Sequence, residues 1–321
     1  MNQAVVDMLA AAGRVLVLAH LLPDGDALGS SLGLRHLLAA QGKEVWVYSA
    51  GPISEEYDFL PGRELVASEL PSKDWPELAV VLDCHQPERT GVNSGPYLQK
   101  LPRVAVIDHH QGSASIGQAV WVDPGFAATS EMLAEMAHAQ GWEMIPEAAT
   151  CLFVGLQTDT GSFQYSNTTP RSFRAAACLV EAGADVWAIS QEVYATRPLR
   201  LRLLGRIMDN LELSRQGRLA MSQVTLAELN QVGGGPADLE QGVETLRLIP
   251  GVQVSALLRE TPKGTIKVSL RSRGRVDVSQ VAIALGGGGH KNAAGVTLEG
   301  DLPVVRQRIT SQLEKRLEEL A

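Results

Sequence analysis

Residues 104–110 read Val-Ala-Val-Ile-Asp-His-His, a short apolar run that gives way abruptly to one acid and two imidazoles. The apolar part predicts a buried strand. Polar side chains at the carboxyl end of a buried parallel strand are where open α/β sheets place their sites. A strand that simply exits into solvent through three polar residues explains this stretch equally well. The rest of the chain decides between the two interpretations.

Apolar strands and helical patterns alternate along the first part of the chain, which predicts βαβ units and a parallel sheet. The strands are predicted at residues 14–19, 44–48, 78–82 and 103–107. The helices are predicted at residues 27–40, 127–140, 146–156, 170–181 and 186–194. We therefore predict an α/β fold that begins with a parallel-sheet N-terminal domain, residues 1–190.

The second part of the chain predicts a smaller α/β domain with a mixed sheet, residues 215–321. A segment rich in Leu and Arg precedes it and predicts a helical linker, residues 191–214. Strands are predicted at residues 218–224, 252–259 and 265–271. Helices are predicted at residues 238–247, 278–284 and 302–320.

The composition excludes several classes of protein. With 321 residues, the chain is long enough for two domains of about 100–200 residues each. No apolar run approaches the roughly 20 residues of a membrane span, and the first residues lack a signal-peptide pattern, so we expect a cytoplasmic protein without a membrane partner. The net charge of −8 argues against a protein that coats long duplex nucleic acid. The cysteines Cys84, Cys151 and Cys178 are predicted to be reduced core residues.

Carboxylates and imidazoles gather where predicted strands and helices of the N-terminal domain end. They are, in chain order, His20, Asp24, Asp26, Asp83, Asp108, His109, His110 and Asp159. Taken singly, Asp83, Asp108 and Asp159 are better explained as helix caps or turn residues, whereas an N-cap in residues 20–26 would explain one acid but not His20 and the second acid. Taken together, oxygen and imidazole ligands without a thiolate suit Mn²⁺ or Mg²⁺. So many acids for one site indicate two ions that share a bridging carboxylate, the arrangement used to hydrolyse phosphate esters.

A glycine-rich stretch in the second domain, residues 285–295, is a candidate anion-binding loop. Consecutive glycines let backbone N–H groups approach an anion closely, and neighbouring cationic side chains add charge-assisted donors. A flexible loop without a ligand is the alternative, although the basic stretch that precedes it favours anion binding. The candidate substrate-binding residues are Arg271, Ser272, Arg273, Gly288, Gly289, His290 and Lys291.

Together these stretches resemble one family, the DHH phosphoesterases. Four of them resemble the four motifs of that family: residues 20–30, Asp83, residues 108–110 and residues 159–161. Residues 286–295, with Arg-Ser-Arg upstream, resemble the hallmark of the DHH-associated C-terminal domain. The resemblance covers essentially the whole chain, and the one difference is a run of four glycines where the family usually shows three. It implies an active site in the cleft between the two domains.

The resemblance also implies a role for each site residue. The implied ligands of two Mn²⁺ ions, for which Mg²⁺ or Co²⁺ can substitute, are His20, Asp24, Asp26, Asp83, His109 and Asp159. Asp83 is implied to bridge the two ions, and Asp108 to orient His109 through a hydrogen bond. His110 is implied to contact the phosphate or to donate a proton to the leaving oxygen. Arg271, Arg273 and His290 match substrate contacts of the family.

Within the family, a two-domain chain of this length resembles the nanoRNases. The implied activity is Mn²⁺-dependent hydrolysis of short RNA oligonucleotides to 5′-mononucleotides, with 3′-phosphatase activity on 3′-phosphoadenosine 5′-phosphate (pAp). Two alternatives stay open. One is a phosphodiesterase for cyclic-di-AMP or for linear dinucleotides such as pApA, and the other is a non-catalytic nucleotide sensor. The preferred substrate, the polarity of cleavage, the native metal and the formation of a homodimer are left open.

Overall fold

The structure, a computed structural model, describes residues 2–73 and 75–319 of the chain. The chain divides into two compact units at residue 195, Met1–Ala195 and Thr196–Ala321. Each unit contains one six-stranded sheet with helices packed against it, so the α/β class predicted from the sequence is confirmed. The domain boundaries predicted near residues 190 and 215 stay predictions.

The first unit is built on a sheet in which every pair of neighbouring strands is parallel, as predicted. Its strands are β1 (Arg14–Leu18), β2 (Glu44–Tyr48), β3 (Val66–Ala67), β4 (Leu78–Leu82), β5 (Val104–Asp108) and β6 (Ala119–Val122). Successive residues of β1 face opposite layers: Val15 and Val17 enter one buried cluster, and Leu16 and Leu18 enter the other. Both faces of the sheet are therefore covered, which is why the central strand β4 is apolar throughout.

The strand order places the carboxyl ends of β1 and β4 side by side. Across the sheet the order is β3-β2-β1-β4-β5-β6, so the direction of winding reverses between β1 and β4. Ligands of open α/β sheets bind outside the carboxyl ends of the strands at such a switch point. The helices of this unit are α1 (Gln3–Ala11), α2 (Gly25–Ala39), α3 (Ser94–Leu98), α4 (Thr129–Ala139), α5 (Pro146–Asp159), α6 (Pro170–Glu181) and α7 (Val186–Val193).

The second unit contains a mixed sheet, which confirms the prediction. Its strands are β7 (Glu212–Ser214), β8 (Leu219–Val224), β9 (Val254–Glu260), β10 (Thr265–Ser272), β11 (Gly288–His290) and β12 (Ala293–Glu299). The order is β11-β12-β10-β9-β8-β7, and β8 and β9 run parallel while the other neighbouring pairs are antiparallel. Its helices are α8 (Pro198–Asp209), α9 (Leu226–Val232), α10 (Glu240–Arg247), α11 (Val278–Ala284) and α12 (Leu302–Glu318).

The segment predicted to be a helical linker contributes to the core of the second unit. Within it, α8 buries Leu203 and Ile207 in one apolar cluster with Val243 and Leu257. The opposite face of the sheet packs against α12, whose buried residues recur every four positions from Val305 to Leu317. The last residue of the predicted C-terminal helix, Leu320, lies outside the described residues.

The sequence pattern did not predict some of the short helices and strands. The helix α1 and the strands β6 and β12 are the main examples, and β12 begins with small residues, Ala293 to Gly295, that carry little apolar signal. Cys84 and Cys151 are buried, but the prediction that Cys178 is a core residue is wrong, because Cys178 lies on an exposed position of α6. In the part of the chain that the structure describes, no helix has the length and apolar character required to span a bilayer.

Candidate metal centre

The carboxyl ends of three neighbouring strands bring the first site residues together. His20 follows β1, Asp83 follows β4, and His109 follows β5. The register pairs Leu82 with Ile107, so Asp83 and Asp108 lie at the same level at the carboxyl edge of the sheet. Asp83 has a positive φ of 55°, a conformation that non-glycine residues adopt rarely and that is concentrated at functional sites. The fold thus turns the Asp83 side chain towards the residues that follow β1 and β5.

The Asp83 carboxylate lies between two groups of ligand atoms. Its Oδ2 is 3.4 Å from His20 Nε2, and its Oδ1 is 3.4 Å from His109 Nε2. Asp24 Oδ2 lies 3.7 Å from the same nitrogen of His20. Asp159 Oδ2 lies 3.1 Å from His109 Nε2. Each oxygen of Asp83 therefore faces a different set of ligands.

The N-terminus of α2 supplies one candidate ligand to each side of Asp83. Asp24 is the N-cap of α2, and its Oδ1 accepts hydrogen bonds from the backbone N–H groups of Asp26 and Ala27 at 3.1 and 3.0 Å. Asp24 therefore has the helix-capping role that would explain this acid even without a metal ion. The second oxygen of Asp24 nevertheless faces His20, so the cap orients the carboxylate without using all of it. Asp26 is fully buried, with Oδ2 3.9 Å from His109 Nε2.

The N-terminus of α4 holds two of the acids in place. The backbone N–H groups of Thr129 and Ser130 donate to the two oxygens of Asp26, at 2.6 and 2.9 Å. Thr129 Oγ1 also donates to Asp83 Oδ1 at 3.0 Å. An unpaired helix N-terminus favours negative charge. Thr129 is a residue that the sequence analysis missed, and its one signal is a position near the start of a predicted helix.

Close packing between α2 and α5 brings Asp26 near Asp159. Asp159 is the last residue of α5, which runs three residues beyond the end predicted for it. A Cβ placed on Gly29 of α2 would lie 2.4 Å from the carbonyl oxygen of Cys151. A Cβ on Gly25 would lie 2.4 Å from Thr158 Oγ1. The glycines let the two helix backbones approach, so the acid that starts one helix meets the acid that ends the other.

An acid and two imidazoles of the cluster have raised pKa values, through burial at the acid and through neighbouring charges at all three. Burial raises the pKa of Asp26 well above its usual range, and the charges of Asp83 and Asp159 raise it further. Burial opposes the protonation of His109, but contacts with Asp159 and Asp83 outweigh it and raise its pKa to about 11. Contacts with Asp24 and Asp83 likewise overcome burial at His20 and raise its pKa to about 9. The cluster therefore favours positive charge between its carboxylates.

The residues present fit divalent cations. Among the described residues, three groups of side chains each place ligand atoms within 4.8 Å of one another. They are His20, Asp24 and Asp83; Asp26, His109 and Asp159; and Asp83, His109 and His110. The buried His109 Nε2 makes no well-oriented hydrogen bond although acids surround it, as expected for a nitrogen that serves as a ligand. Oxygen and imidazole donors without a thiolate suit Mn²⁺ or Mg²⁺.

The structure corrects the expected role of Asp108. Its Oδ1 accepts hydrogen bonds from the backbone N–H and from Nδ1 of His110, at 3.0 and 2.8 Å. Its Oδ2 lies 2.5 Å from Nδ1 of His85. Asp108 therefore orients His110 and not His109, because the backbone turn after Asp108 brings the ring of His110 back towards the carboxylate. His85 is a second residue that sequence reasoning missed, and its one signal is its position two residues after Asp83.

His110 differs from the two histidines among the metal-ligand candidates in its exposure. Its side chain is 41 % exposed, whereas those of His20 and His109 are 11 % and 13 % exposed. Because its Nδ1 contacts Asp108, its Nε2 is the nitrogen that stays available to a substrate. The hydrogen bond to Asp108 raises the pKa of His110 and outweighs the opposing effect of burial.

The substrate-binding candidates of the second unit differ in burial and in hydrogen-bond partners. Arg271 Nε donates to Glu244 Oε1 at 2.6 Å, so its side chain already has an acidic partner, which it shares with Arg247. Ser272 does not fit a substrate contact, because it is fully buried and its Oγ donates to the carbonyl oxygens of Val276 and Lys291. Ser272 instead stabilises the turn after β10 through these hydrogen bonds, whereas Arg273 is exposed at that turn.

The glycine-rich stretch is partly a strand and not simply a loop. Gly288, Gly289 and His290 form β11, which pairs with β12 at the edge of the sheet. A Cβ on Gly289 would lie 2.4 Å from the Cα of Ala294, so glycine permits the close pairing. His290 and Lys291 are exposed at its end. These two side chains stay candidates for binding an anion.

Comparisons with known proteins identify two domains in this chain. The model of the DHH family, N-terminal domain, matches residues 14–156, and the model of the DHHA1 domain matches residues 216–319. The bifunctional oligoribonuclease and PAP phosphatase NrnA of Thermus thermophilus is 34% identical over 307 residues, which cover 95% of this chain and 90% of that protein. The protein of the same name in Bacillus subtilis is 28% identical, over 88% of this chain and 89% of that protein.

A relative with another activity also matches. The cyclic-di-AMP phosphodiesterase PdeA of Listeria monocytogenes is 30% identical over 93% of this chain, which corresponds to 47% of that protein. Among solved structures, an exopolyphosphatase-related protein from Bacteroides fragilis superposes with a TM-score of 0.87 at 27% identity, over 99% of this chain and 95% of that chain. RecJ of Thermus thermophilus in complex with Mn²⁺ shares the fold, with a TM-score of 0.51 at 15% identity, over 98% of this chain and 53% of that chain. The chain therefore belongs to the DHH family of phosphoesterases, with a DHH domain followed by a DHHA1 domain.

Proposed function

We propose that this protein is a Mn²⁺-dependent phosphodiesterase that degrades short oligoribonucleotides to 5′-mononucleotides and removes the 3′-phosphate of pAp. The NrnA proteins, which match this chain over almost their whole length, are named for the same two activities. The proposed substrates are short RNA, dinucleotides and pAp, and the proposed location is the cytoplasm.

The position of Asp83 is the observation that carries the proposal. One buried carboxylate faces His20 with one oxygen and His109 with the other, each at 3.4 Å. A bridging carboxylate between two ions is typical of enzymes that hydrolyse phosphate esters. In this proposal His20, Asp24 and Asp83 would hold one ion, and Asp26, Asp83, His109 and Asp159 would hold the other. Mg²⁺ or Co²⁺ can take the place of Mn²⁺.

The chain's own side chains then have separate tasks. Bound ions would supply an activated water and would neutralise charge on the phosphoryl oxygens. Thr129 fixes the rotation of Asp83 through its hydrogen bond to Oδ1, and the N-terminus of α4 fixes Asp26. His110, held by Asp108 and partly exposed, donates a proton to the leaving oxygen.

The second unit contributes substrate binding in this proposal. Arg273, His290 and Lys291 are exposed and carry or can carry positive charge, which suits the terminal phosphate of a short nucleotide chain. Arg271 is a weaker candidate than the sequence suggests, because its Nε is held by Glu244, which also pairs with Arg247. We therefore assign the phosphate contact to His290 and Lys291 first.

The direct test is incubation of the purified protein with labelled ribonucleotides two to five residues long in the presence of Mn²⁺. We expect stepwise release of 5′-mononucleotides and, in a parallel reaction, release of phosphate from pAp. Asp83→Ala should lose both activities together, because both use the same ions. A wild-type protein that releases no more product than Asp83→Ala, in Mn²⁺, Mg²⁺ and Co²⁺ alike, would disprove the proposal.

The similarity to the PdeA protein favours a second candidate function, a phosphodiesterase for cyclic-di-AMP or for its linear product pApA. A comparison of kcat/KM for pApA, cyclic-di-AMP, pAp and a pentaribonucleotide on one preparation separates the two. The first proposal expects the pentaribonucleotide and pAp to be used at least as well as the cyclic dinucleotide. A preference for cyclic-di-AMP over all linear RNA would replace it with the second.

A further inference from the structure

His85 is a buried histidine at the edge of the metal centre that belongs to none of the candidate ligand groups found among the described residues. It is 7 % exposed, so it cannot contact a substrate at the surface. Its Nδ1 lies 2.5 Å from Asp108 Oδ2. Because that partner is an acceptor, Nδ1 of His85 is the donor of this hydrogen bond.

Asp108 joins His85 to His110. The Asp108 side chain is fully buried and its two oxygens have different partners. His85 contacts Oδ2, while Oδ1 accepts from the backbone N–H and from the ring Nδ1 of His110. A carboxylate with one oxygen held in this way cannot rotate without breaking a hydrogen bond on the other side. The orientation of the His110 ring is therefore coupled to the donor on His85.

The His85 ring is itself fixed from the opposite side. A Cβ placed on Gly112 would lie 2.4 Å from His85 Nε2, so the backbone that follows His110 packs directly against this ring. Gly112 has a φ of 142°, which glycine adopts without strain. The backbone N–H of Ser115 also donates to the carbonyl oxygen of His85 at 3.3 Å. The ring has little freedom to turn away from Asp108.

We propose that His85 is a positioning residue for His110, acting through the carboxylate of Asp108. This inference deepens the proposed function and rests on it, because the task of His110 is to meet the leaving oxygen. The N–H of His85 holds one oxygen of Asp108, so that the other stays directed at Nδ1 of His110. The Nε2 of His110 is then presented to the substrate in one orientation.

A pair of nearly isosteric variants tests the hydrogen bond without changing the packing greatly. His85→Asn retains an N–H donor near the position of Nδ1, and His85→Leu has a similar shape without a donor. We expect His85→Leu to lower kcat on short RNA about 10–100-fold, as loss of an orienting partner usually does, with KM close to the wild-type value. His85→Asn should recover most of kcat. Equal losses in the two variants would overturn the inference, because packing alone would then explain them.

Two measurements do not depend on turnover. In protein labelled with ¹⁵N-histidine, the ring signals of His110, assigned with His110→Gln, should change in His85→Leu and return towards the wild-type positions in His85→Asn. Mn²⁺ binding, followed by electron paramagnetic resonance, should stay unchanged in both variants. Unchanged His110 signals, or loss of Mn²⁺ binding in His85→Leu, would overturn the inference. An inactive wild-type protein would instead disprove the proposed function, and the ring signals would still decide the role of His85.

Discussion

At the scale of single residues, chemical type and position identified the metal-ligand candidates, whereas hydrogen-bond partners needed the structure. Asp83 and His109 follow apolar strands directly, so the sequence placed them at the carboxyl edge of the sheet. The hydrogen-bond partners of Asp108 depend on how the side chains at the carboxyl ends of β4 and β5 are oriented. His85 was missed because its contact with Asp108 joins residues 23 positions apart. Asp108 was assigned to the wrong histidine because two imidazoles follow it directly, and only the local turn, which brings His110 back towards the carboxylate, decides between them.

The division between chemistry and binding can be tested with two histidines. We expect His110→Ala to lower kcat about 10²–10⁴-fold with little change in KM, because a proton donor acts in the transition state. His290→Ala should mainly raise KM, about tenfold or more, because a charge-assisted hydrogen bond to phosphate contributes about 1.5–3 kcal/mol. Steady-state kinetics on a labelled trinucleotide measure both values.

A third histidine provides the control for this pair. His138 is exposed on α4 and makes no contact with the metal cluster among the described residues, so His138→Ala should behave as the wild type. Equal effects of His110→Ala and His290→Ala on kcat would contradict the division of roles.

At the scale of elements, the packing of α2 against α5 sets the distance between acids that lie far apart in sequence. Gly25, Gly29 and Gly33 recur every four residues and face α5. A Cβ at each of these positions would clash with Thr158, Cys151 or Leu152 respectively. This spacing is visible in the sequence, but it becomes informative only when the partner helix is known.

We expect Gly29→Ala to destabilise the first unit by roughly 1–3 kcal/mol, the usual cost of overpacking. The new Cβ would lie 2.4 Å from the carbonyl oxygen of Cys151 and 2.9 Å from the backbone nitrogen of Gly155, and neither backbone atom can move independently. Urea unfolding measures the loss. Mn²⁺ affinity should fall as well, because a displaced α2 carries Asp26 away from Asp159.

Gly95→Ala is the matched control for that substitution. Gly95 lies in α3, and a Cβ there would meet no atom within 4 Å. Its effect on the free energy of unfolding should stay below about 0.5 kcal/mol. If the two alanine variants unfold at the same urea concentration, the close approach of α2 and α5 does not limit stability.

At the scale of the whole molecule, the protein concentrates negative charge in one buried cluster while its net charge is already −8. Asp26 and Asp83 are both almost fully buried and lie near the same imidazole, so their charges repel each other without a cation between them. Metal binding should therefore stabilise the fold as well as supply the chemistry.

We expect Mn²⁺ to raise the melting temperature. A free concentration of about 100 times Kd should add about 2.7 kcal/mol to the free energy of unfolding. Asp83→Asn should lose most of this gain, because it removes charge from both groups of ligands. Asp7→Asn, an exposed change on α1, should keep it. Differential scanning fluorimetry with and without EDTA measures the shift, and an equal gain in both variants would show that the ions bind elsewhere.

The sequence by itself determined the α/β class, the parallel sheet of the first unit, the family and the chemical nature of the site. These features follow from local patterns: apolar strands, helical periodicity, and acids and imidazoles directly after them. Only the tertiary structure decided that Asp108 links His85 to His110, that Ser272 is buried and that Glu244 pairs with Arg271. The physical reason is that burial and side-chain partners depend on which elements become neighbours, and the contacts between Asp108 and His85 or between Arg271 and Glu244 join residues more than 20 positions apart.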